Sequence, residues 1–329
     1  MADSSGLLKP PNTETAKGME RRVGVELEFS GLSAEEAARL IRDSFGGDIE
    51  ERSQHRFEVH TPDLDTFVAE LDTKFAHPNP DIEKEFGTES ALAAEDRSVS
   101  KIVGDVSQGL VATEIVTAPL PFSRLPDLTR LIEALRRAGA KGTEANVVAG
   151  FGVHLNPEAW SLDAEQIRRL LQAYVIWSPR LREDIDVDAM RRALPYVDPF
   201  PSRYVERILA AGYDPDMPDL IGDYLGDNPT RNRELDMLPL FKHIDAERIE
   251  AALSDDRIKA RPAYHYRLPN MTLADNDWSV VTEWNRWVGV ERLAADETAL
   301  ASAAAALTSD ADGGAKTGLL DTILIGLAS

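Results

Sequence analysis

The chain has 329 residues, 43% of them apolar, which is enough for a substantial core in one large domain or two smaller ones. It contains no cysteine, so disulfides, thiolate zinc sites and a cysteine nucleophile are excluded. Its 36 basic and 57 acidic residues give a net charge of −21, which disfavours binding to the phosphate backbones of nucleic acids.

The sequence has no run of eighteen apolar residues, and its start lacks a basic stretch followed by an apolar one. These features predict neither a membrane span nor a secretory signal, and the cytoplasm is the expected compartment. The first twenty residues are rich in Pro, Ser, Thr and Gly, which predicts a flexible lead-in over 1–20.

The first predicted strand is RRVGVELEF, residues 21–29, in which Glu26 and Glu28 alternate with apolar residues. Side chains two positions apart on a strand point to the same face of the sheet. One face of this strand is therefore apolar, and the other presents two carboxylates with no basic residue between them.

The next elements follow from the same kind of periodicity. SAEEAARLIRDSFG (33–46) has the apolar spacing of an amphipathic helix, and Ser33 with Glu36 forms a capping box at its start. RFEVHT (56–61) alternates apolar and polar residues, which predicts a strand.

TFVAELDT (66–73) predicts another strand and repeats the pattern of the first, because Glu70 and Asp72 share one face. The polar stretch that follows predicts a loop and then a helix around 88–107. LVATEIVTAPL (110–120) predicts a strand that ends at prolines.

The second half of the chain mixes helices and strands irregularly. NVVAGFGVHLNP (146–157) predicts a strand with glycines before its end and a proline stop, and AYHYRL (263–268) predicts a late strand. From residue 124 onward, helices are predicted over 124–138, 162–185, 201–212 and 245–254.

This order of elements predicts an α+β fold with a mainly antiparallel sheet covered by helices. One domain is expected over 21–292, between the lead-in and an Ala-rich, low-complexity C-terminal tail over 293–329. No internal repeat stands out.

Several predicted strands carry polar residues on one face only. These residues are Glu26, Glu28, Glu70, Asp72, Glu114, His154, Asn156, His265 and Arg267. If the polar faces converge, the carboxylates repel one another unless a cation joins them, and oxygen ligands with an occasional imidazole suit Mg²⁺ or Mn²⁺ better than zinc. The alternative for any single pair is the solvated face of an antiparallel sheet.

The segments GVELEF, EIVTAPL and GFGVHLNP, in this order, resemble motifs of the carboxylate–amine ligases of the glutamine synthetase and glutamate–cysteine ligase superfamily. The amidoligase branch is the most similar, and the resemblance covers roughly residues 21–290. It implies a concave, mainly antiparallel sheet like that of the glutamine synthetase catalytic domain, with ATP and Mg²⁺ (or Mn²⁺) as cofactors.

The resemblance also implies roles for individual residues. YHYRLPN is similar to a family strand whose arginine contacts phosphate, which would be Arg267, and whose glutamate is replaced here by His265. The implied metal ligands are Glu26, Glu28, Glu114 and His154. At His265 either the imidazole takes the place of the family glutamate as a ligand, or one metal position is lost. The implied contacts to the nucleotide are His154, Asn156 and Arg267.

Four further residues have two interpretations each. Arg231 and Arg233 contact nucleotide or substrate, or else they belong to an exposed helix start. Glu70 and Asp72 bind the incoming amine or take its proton, or else they line a solvated strand face.

The implied activity is ATP-dependent amide formation through an acyl phosphate, with small-molecule or peptide carboxylates and amines as substrates. Two alternatives remain open. One is a phosphotransferase similar to the guanidino kinases, and the other is a non-catalytic module that binds nucleotide or metal, because His265 replaces a glutamate. The sequence selects neither a particular substrate pair nor an oligomeric state.

Overall fold

The computed structural model describes residues 6–71, 112–143, 151–187 and 197–308. Within these ranges the strands are β1 (Arg22–Phe29), β2 (Asp48–Ser53), β3 (Arg56–Thr61), β4 (Asp65–Leu71), β5 (Thr113–Thr117), β6 (Leu120–Pro121), β7 (Val153–Pro157), β8 (Leu235–Asp236) and β9 (His265–Tyr266). The helices are α1 (Ala34–Phe45), α2 (Thr129–Ala138), α3 (Ala164–Ile185), α4 (Ser202–Ile208), α5 (Met217–Asp227), α6 (Leu238–Ile244), α7 (Ala246–Ala252), α8 (Val280–Ala295) and α9 (Glu297–Thr308), with a 3₁₀ helix at Phe122–Leu128.

The nine strands of the described ranges form a single open sheet in the order β2-β3-β4-β5-β1-β7-β9-β8, with β6 paired to β1. All the pairings between these strands are antiparallel. This confirms the predicted class, a mixed fold with a mainly antiparallel sheet covered by helices. β1 lies near the middle of the sheet, between β5 and β7, so its two neighbours shield its backbone from water.

The predicted alternation along β1 is confirmed. Its apolar side chains are fully buried on one face, and they are Val23, Val25, Leu27 and Phe29. Glu26 and Glu28 therefore project from the other face of the sheet. Because a shift of one residue would move both carboxylates into the apolar core, burial of the apolar face fixes the register of this strand.

Helices cover the apolar face. The predicted capping box of α1 is confirmed, since Ser33 Oγ accepts from the Glu36 backbone N–H at 3.2 Å and Glu36 Oε2 accepts from the Ser33 N–H at 2.8 Å. On the other side of β1, the ring of Tyr266 in β9 contacts Tyr174 of α3 and Trp287 of α8, with ring centroids 5.9 Å and 5.4 Å apart. These aromatic contacts hold β9 against the helical layer.

Several element boundaries differ from the predictions. Of the predicted strand over 263–268, only His265–Tyr266 is regular strand, with an isolated bridge from Ala263 to Glu158. A 3₁₀ turn containing Pro126 precedes α2, because proline has no N–H to donate. The edge strand β2 has the polar sequence DIEERS, in which no apolar alternation signals a strand. The predicted helix around 88–107 lies outside the described residues, as does Asp72.

Both ends of the described chain pack on the domain. Leu7 and Leu8 are buried, and the Leu8 carbonyl accepts from Trp284 Nε1 at 3.0 Å, which differs from the flexible lead-in predicted from composition. The predicted boundary at 292/293 falls inside α8, and the Ala-rich segment after it forms α9, with Leu300 and Ala303 buried. Alanine is a strong helix former, so the composition of this segment suits a helix as well as a tail. Residues 309–329 lie outside the described ranges.

A buried ion pair anchors the chain just before β1. Arg21 and Glu291 of α8 are each 1% exposed, and they form two parallel contacts, from Nη1 to Oε2 at 2.8 Å and from Nη2 to Oε1 at 2.6 Å. Glu291 Oε1 also accepts from Trp287 Nε1 at 2.7 Å, and Arg21 Nε donates to the Glu158 carbonyl at 2.9 Å. The pair therefore links the start of the central strand to the helical layer.

We predict that Glu291→Gln lowers the free energy of unfolding by about 3–5 kcal/mol, because it leaves the Arg21 guanidinium buried without its counter-charge. Urea denaturation measures this loss. The matched control is Glu35→Gln, which breaks an exposed pair with Arg39 whose side chains are 57% (Arg39) and 55% (Glu35) exposed, and it should cost at most about 1 kcal/mol. Equal losses in the two variants would show that burial does not set the strength of the Arg21 pair.

Candidate active site

The pairing of the central strands brings the predicted polar residues of β1, β5 and β7 side by side. Glu28 lies directly opposite Glu114 of β5, and Glu26 lies directly opposite His154 of β7. On the other side of β5, Glu70 of β4 lies opposite Glu114. Side chains that are directly opposite share a face, so these residues form one polar row across the middle of the sheet.

The late strand β9 continues this polar face. Leu155 of β7 pairs with Tyr266, so both point to the apolar side. The residues that flank them therefore point to the polar side, and these are His154, Asn156, His265 and Arg267. The rings of His154 and His265 meet edge to face with centroids 5.3 Å apart.

Glu26 is held on both of its oxygens by β7. His154 Nδ1 lies 2.8 Å from Glu26 Oε2, and Asn156 Nδ2 donates to Glu26 Oε1 at 2.9 Å. Asn156 Oδ1 in turn accepts from Arg261 Nη2 at 2.6 Å. When Glu26 is ionised, it accepts the proton of Nδ1, which leaves the lone pair of His154 on Nε2.

Glu28 and Glu114 lie on the far side of His154. Glu28 Oε2 accepts from the Gly152 backbone N–H at 3.0 Å, and Glu28 Oε1 lies 3.7 Å from His154 Nε2. Glu28, Glu114 and His154 are all buried, and one potential ligand atom from each lies within 4.8 Å of the others. A second group with the same spacing consists of Glu26, His154 and His265.

The two groups together form one cluster, which we call the central cluster: Glu26, Glu28, Glu114, His154 and His265. Burial and contacts act in opposite directions on the ionisation of its side chains. Burial would raise the pKa of Glu26, but hydrogen bonding to His154 and the nearness of His265 outweigh it and hold that pKa well below its usual range. Burial lowers the pKa of His154 to about 4, although the charges of Glu28 and Glu26 raise it. At neutral pH the cluster therefore combines an ionised Glu26 with a neutral His154, which is the form that binds metal.

Arg267 brings a positive charge to the same face. It is buried, its Nη1 donates to the Arg231 carbonyl at 2.6 Å, and its charge contributes to the low pKa of His154. Burial lowers the pKa of the Arg231 side chain, which also lies 3.9 Å from Asp255. The structure thus places Arg231 and Arg267 next to each other beside the cluster.

Two other predicted site residues, Glu70 and Arg233, have contacts outside the cluster. Glu70 shares the polar row but is ion-paired with Arg56, so its carboxylate already has a counter-charge. Arg233 donates from Nε to Asn228 Oδ1 and from Nη1 to the Pro199 carbonyl, both at 2.8 Å, and these contacts hold it away from the cluster.

Sequence reasoning missed two residues beside the central cluster, Asp236 and Arg261. Asp236 lies opposite His265 in the pairing of β8 with β9, with its Oδ2 3.5 Å from His265 Nδ1. Its only signal was the alternation in RELDM, where Glu234 and Asp236 flank a leucine. Arg261 precedes β9 and reaches Asn156 from a segment with no regular structure, so no periodicity pointed to it.

A third group with metal-ligand spacing lies at the edge of the sheet. Glu50, Glu58 and His60 bring potential ligand atoms within 4.8 Å of one another, but they are more exposed than the central cluster. Arg52 pairs with Glu50 at 2.6 Å and with Glu58 at 2.8 Å. These carboxylates already have a counter-charge, and exposed acidic groups are common without a bound ion.

The central cluster fits a divalent cation. It gathers the carboxylates of Glu26, Glu28 and Glu114 with the imidazoles of His154 and His265, and apart from Glu26 all of these side chains are buried. Neither ring nitrogen of His265 has a hydrogen-bond partner within the described ranges, although both are buried. Carboxylates with an imidazole suit Mg²⁺ or Mn²⁺.

The chain matches the model of a known protein family. A family model described as "Putative amidoligase enzyme" matches residues 19–289. The chain belongs to this amidoligase family. No curated protein and no solved structure gives a match. The resemblance noted in the three motifs is thereby confirmed at the level of the family, and the amidoligase match spans all the strands that supply the cluster.

In the parts of the chain that the structure describes, no helix combines the length and the apolar character that crossing a bilayer requires.

We predict that the metal-free protein loses stability as the pH falls from 7 to 5. The folded pKa of His154 is about 4 and the unfolded one about 6.5, so the unfolded chain binds a proton in this window and the folded chain does not. The contribution is therefore complete above pH 6.5 and falls by roughly 2 kcal/mol at pH 5.

Urea unfolding at the two pH values, in the presence of a chelator, measures this difference. His154→Gln should flatten it, whereas the control His243→Gln, at an exposed histidine of α6, should leave it unchanged. An unchanged slope in the His154 variant would contradict the buried neutral imidazole.

Proposed function

We propose that this amidoligase joins a carboxylate to an amine at the expense of ATP, through an acyl-phosphate intermediate. The observation that carries the proposal is the convergence of Glu26, Glu28, Glu114 and His154 on one sheet face, with Arg267 beside them. We infer further that the sheet corresponds to that of the glutamine synthetase catalytic domain. Its antiparallel order, with helices on the apolar face, supports this.

The proposed reaction has two steps, because hydroxide is a poor leaving group and a free carboxylate does not acylate an amine. In the first step, an oxygen of the substrate carboxylate attacks the γ-phosphorus of ATP, and ADP leaves. In the second step, the amine nitrogen attacks the acyl carbon, phosphate leaves with the former carboxylate oxygen, and the nitrogen loses a proton to a base.

Glu28, Glu114 and His154 Nε2 would hold Mg²⁺ or Mn²⁺. Such a cation, when bound, neutralises the negative charge of the nucleotide phosphates. Glu26 orients His154 through the contact at Nδ1, and the Gly152 N–H orients Glu28, so the ligand side chains are fixed before anything binds. This preorganisation is what a binding site for a small ion requires.

Arg267 would bind the oxygens of the transferred phosphoryl group. Its position beside His154 and its burial support this role, since a buried guanidinium interacts strongly with phosphate oxygens. An arginine that stabilises phosphoryl transfer is worth about 10³–10⁵ in rate in other enzymes. Asn156 and the adjacent Arg231 would add contacts to the nucleotide, and Arg233 is the weakest candidate because its donors contact Asn228 and Pro199.

Glu70 and Asp72 would receive the amine as an ammonium ion or take its proton. The position of Glu70 at the end of the polar row, opposite Glu114, supports this, although the amine would have to compete with Arg56. The substrates are inferred to be small molecules or peptides. The net charge of −21 gives no support to a nucleic-acid substrate.

We predict that purified protein releases ADP from ATP with Mg²⁺ or Mn²⁺ only when both a carboxylate and an amine are supplied from pools of amino acids and peptides. Glu28→Gln should lower this release at least about 100-fold, because even residues that only support metal ligands are worth 10–100-fold. The control Glu133→Gln removes an exposed carboxylate on α2 and should keep full activity.

The same assay separates the alternatives. Release that depends on a guanidino compound alone, with a phosphorylated product, would favour a phosphotransferase over a ligase. Nucleotide binding without release in any pool would favour a non-catalytic module. Either result would refute the proposed ligation.

A further inference from the structure

Asp236 and His265 form a buried polar pair that the proposed reaction has not yet used. Asp236 is 1% exposed and His265 is 6% exposed. Asp236 Oδ1 accepts from the Leu238 N–H at 3.0 Å, whereas Oδ2 has no hydrogen-bond partner in the described part of the chain. A buried polar atom without a partner is costly, so two such side chains in contact call for an explanation.

The pair is aligned with Glu26. His265 Nδ1 lies 3.5 Å from Asp236 Oδ2, and Nε2 on the other side of the ring lies 3.8 Å from Glu26 Oε2. Asp236, His265 and Glu26 thus lie on β8, β9 and β1, and β7 separates the last two strands. The separation of 3.8 Å is longer than a hydrogen bond, which spans about 2.7–3.2 Å.

The chemistry of the facing atoms indicates what the gap accepts. Glu26 Oε2 already accepts from His154 Nδ1, and the carboxylate is held ionised, so it presents negative charge toward His265. When the proton of His265 is on Nδ1, toward Asp236, the lone pair on Nε2 also faces the gap. A lone pair and a carboxylate oxygen repel each other unless a cation lies between them.

We propose that Asp236 is a positioning residue of a second cation position, beside the one that Glu28, Glu114 and His154 would form. It accepts the Nδ1–H of His265, fixes the orientation and tautomer of that ring, and directs Nε2 toward a cation that Glu26 also binds, on the other side of His154 from Glu28. This inference rests on the proposed cation-dependent function and adds to it a supporting carboxylate and a nitrogen ligand. Metal-binding histidines commonly donate their second N–H to a carboxylate in this way.

The pair also sets which cation the site prefers. A site with only carboxylate ligands suits Mg²⁺, whereas an imidazole ligand favours transition metals over Mg²⁺, and Mn²⁺ is the transition metal that also suits carboxylates. His265 gives the position next to Glu26 an imidazole ligand, and Asp236 makes its nitrogen more basic. We therefore expect Mn²⁺ to bind more tightly than Mg²⁺, and we expect Asp236 to maintain the difference.

The test is a titration of the full-length protein with Mn²⁺, followed by electron paramagnetic resonance of the free ion, with Mg²⁺ as the competitor. Asp236→Asn keeps the Oδ1 acceptor for the Leu238 N–H and removes the charge, so the fold should be retained. We expect this variant to bind Mn²⁺ 10–100-fold more weakly, with a smaller change for Mg²⁺.

A second variant tests the ligand itself. Pulsed measurements on the Mn²⁺-loaded wild type should show nitrogen couplings from two imidazoles, and His265→Gln should remove one of them while that of His154 remains. Glu133→Gln serves as the control for loss of one negative charge and should match the wild type. The unfolding curve of each variant in urea checks that it is folded.

The experiment distinguishes a failure of the Asp236 role from a failure of the proposed cation-dependent function. If the wild type binds Mn²⁺ but Asp236→Asn binds it within twofold of the wild type, with an unchanged ratio of Mn²⁺ to Mg²⁺, the role of Asp236 is refuted and the proposed function stands. An unchanged nitrogen signal in His265→Gln has the same meaning for His265. If the wild type binds neither ion, the cation-dependent function itself is refuted.

Discussion

The site depends on one constraint, the placement of two carboxylates on the polar face of the central strand β1. The opposite face of this strand is fully buried, so Glu26 and Glu28 cannot turn away from the position that the register gives them. A carboxylate enclosed in this way is costly unless hydrogen bonds or charges compensate it. The neighbouring strand β7 supplies His154, Asn156 and the Gly152 N–H for this purpose. The geometry of the cluster follows from that compensation.

Much of this arrangement could be predicted from the sequence. A strand has a period of two, so the alternation around Glu26 and Glu28 determined which residues share a face, and the same rule grouped His154 with Asn156. What the alternation cannot predict is which strands become neighbours, since partners such as Glu28 and Gly152 are 124 residues apart. The order of the motifs and their resemblance to a family replaced that missing information.

Other parts could not be predicted, for identifiable reasons. Asp236 lies on a strand of two residues, which is too short to show a period, and Arg261 lies on no regular element. The N-terminal segment has the composition of a linker, but the contacts of Leu8 with α8 depend on an amide 277 residues away and an indole 276 residues away. For Glu70, the face of the sheet was predicted correctly. Its ion pair with Arg56 could not be predicted, because Arg56 lies on a neighbouring strand.

The most direct test of the central claim is a crystal structure of the protein grown with Mn²⁺ and a non-hydrolysable ATP analogue, with anomalous scattering used to locate the manganese. We predict an anomalous peak bounded by Glu28, Glu114 and His154, with the phosphates of the analogue toward Arg267. A peak confined to the exposed group of Glu50, Glu58 and His60, or no peak at all, would contradict it.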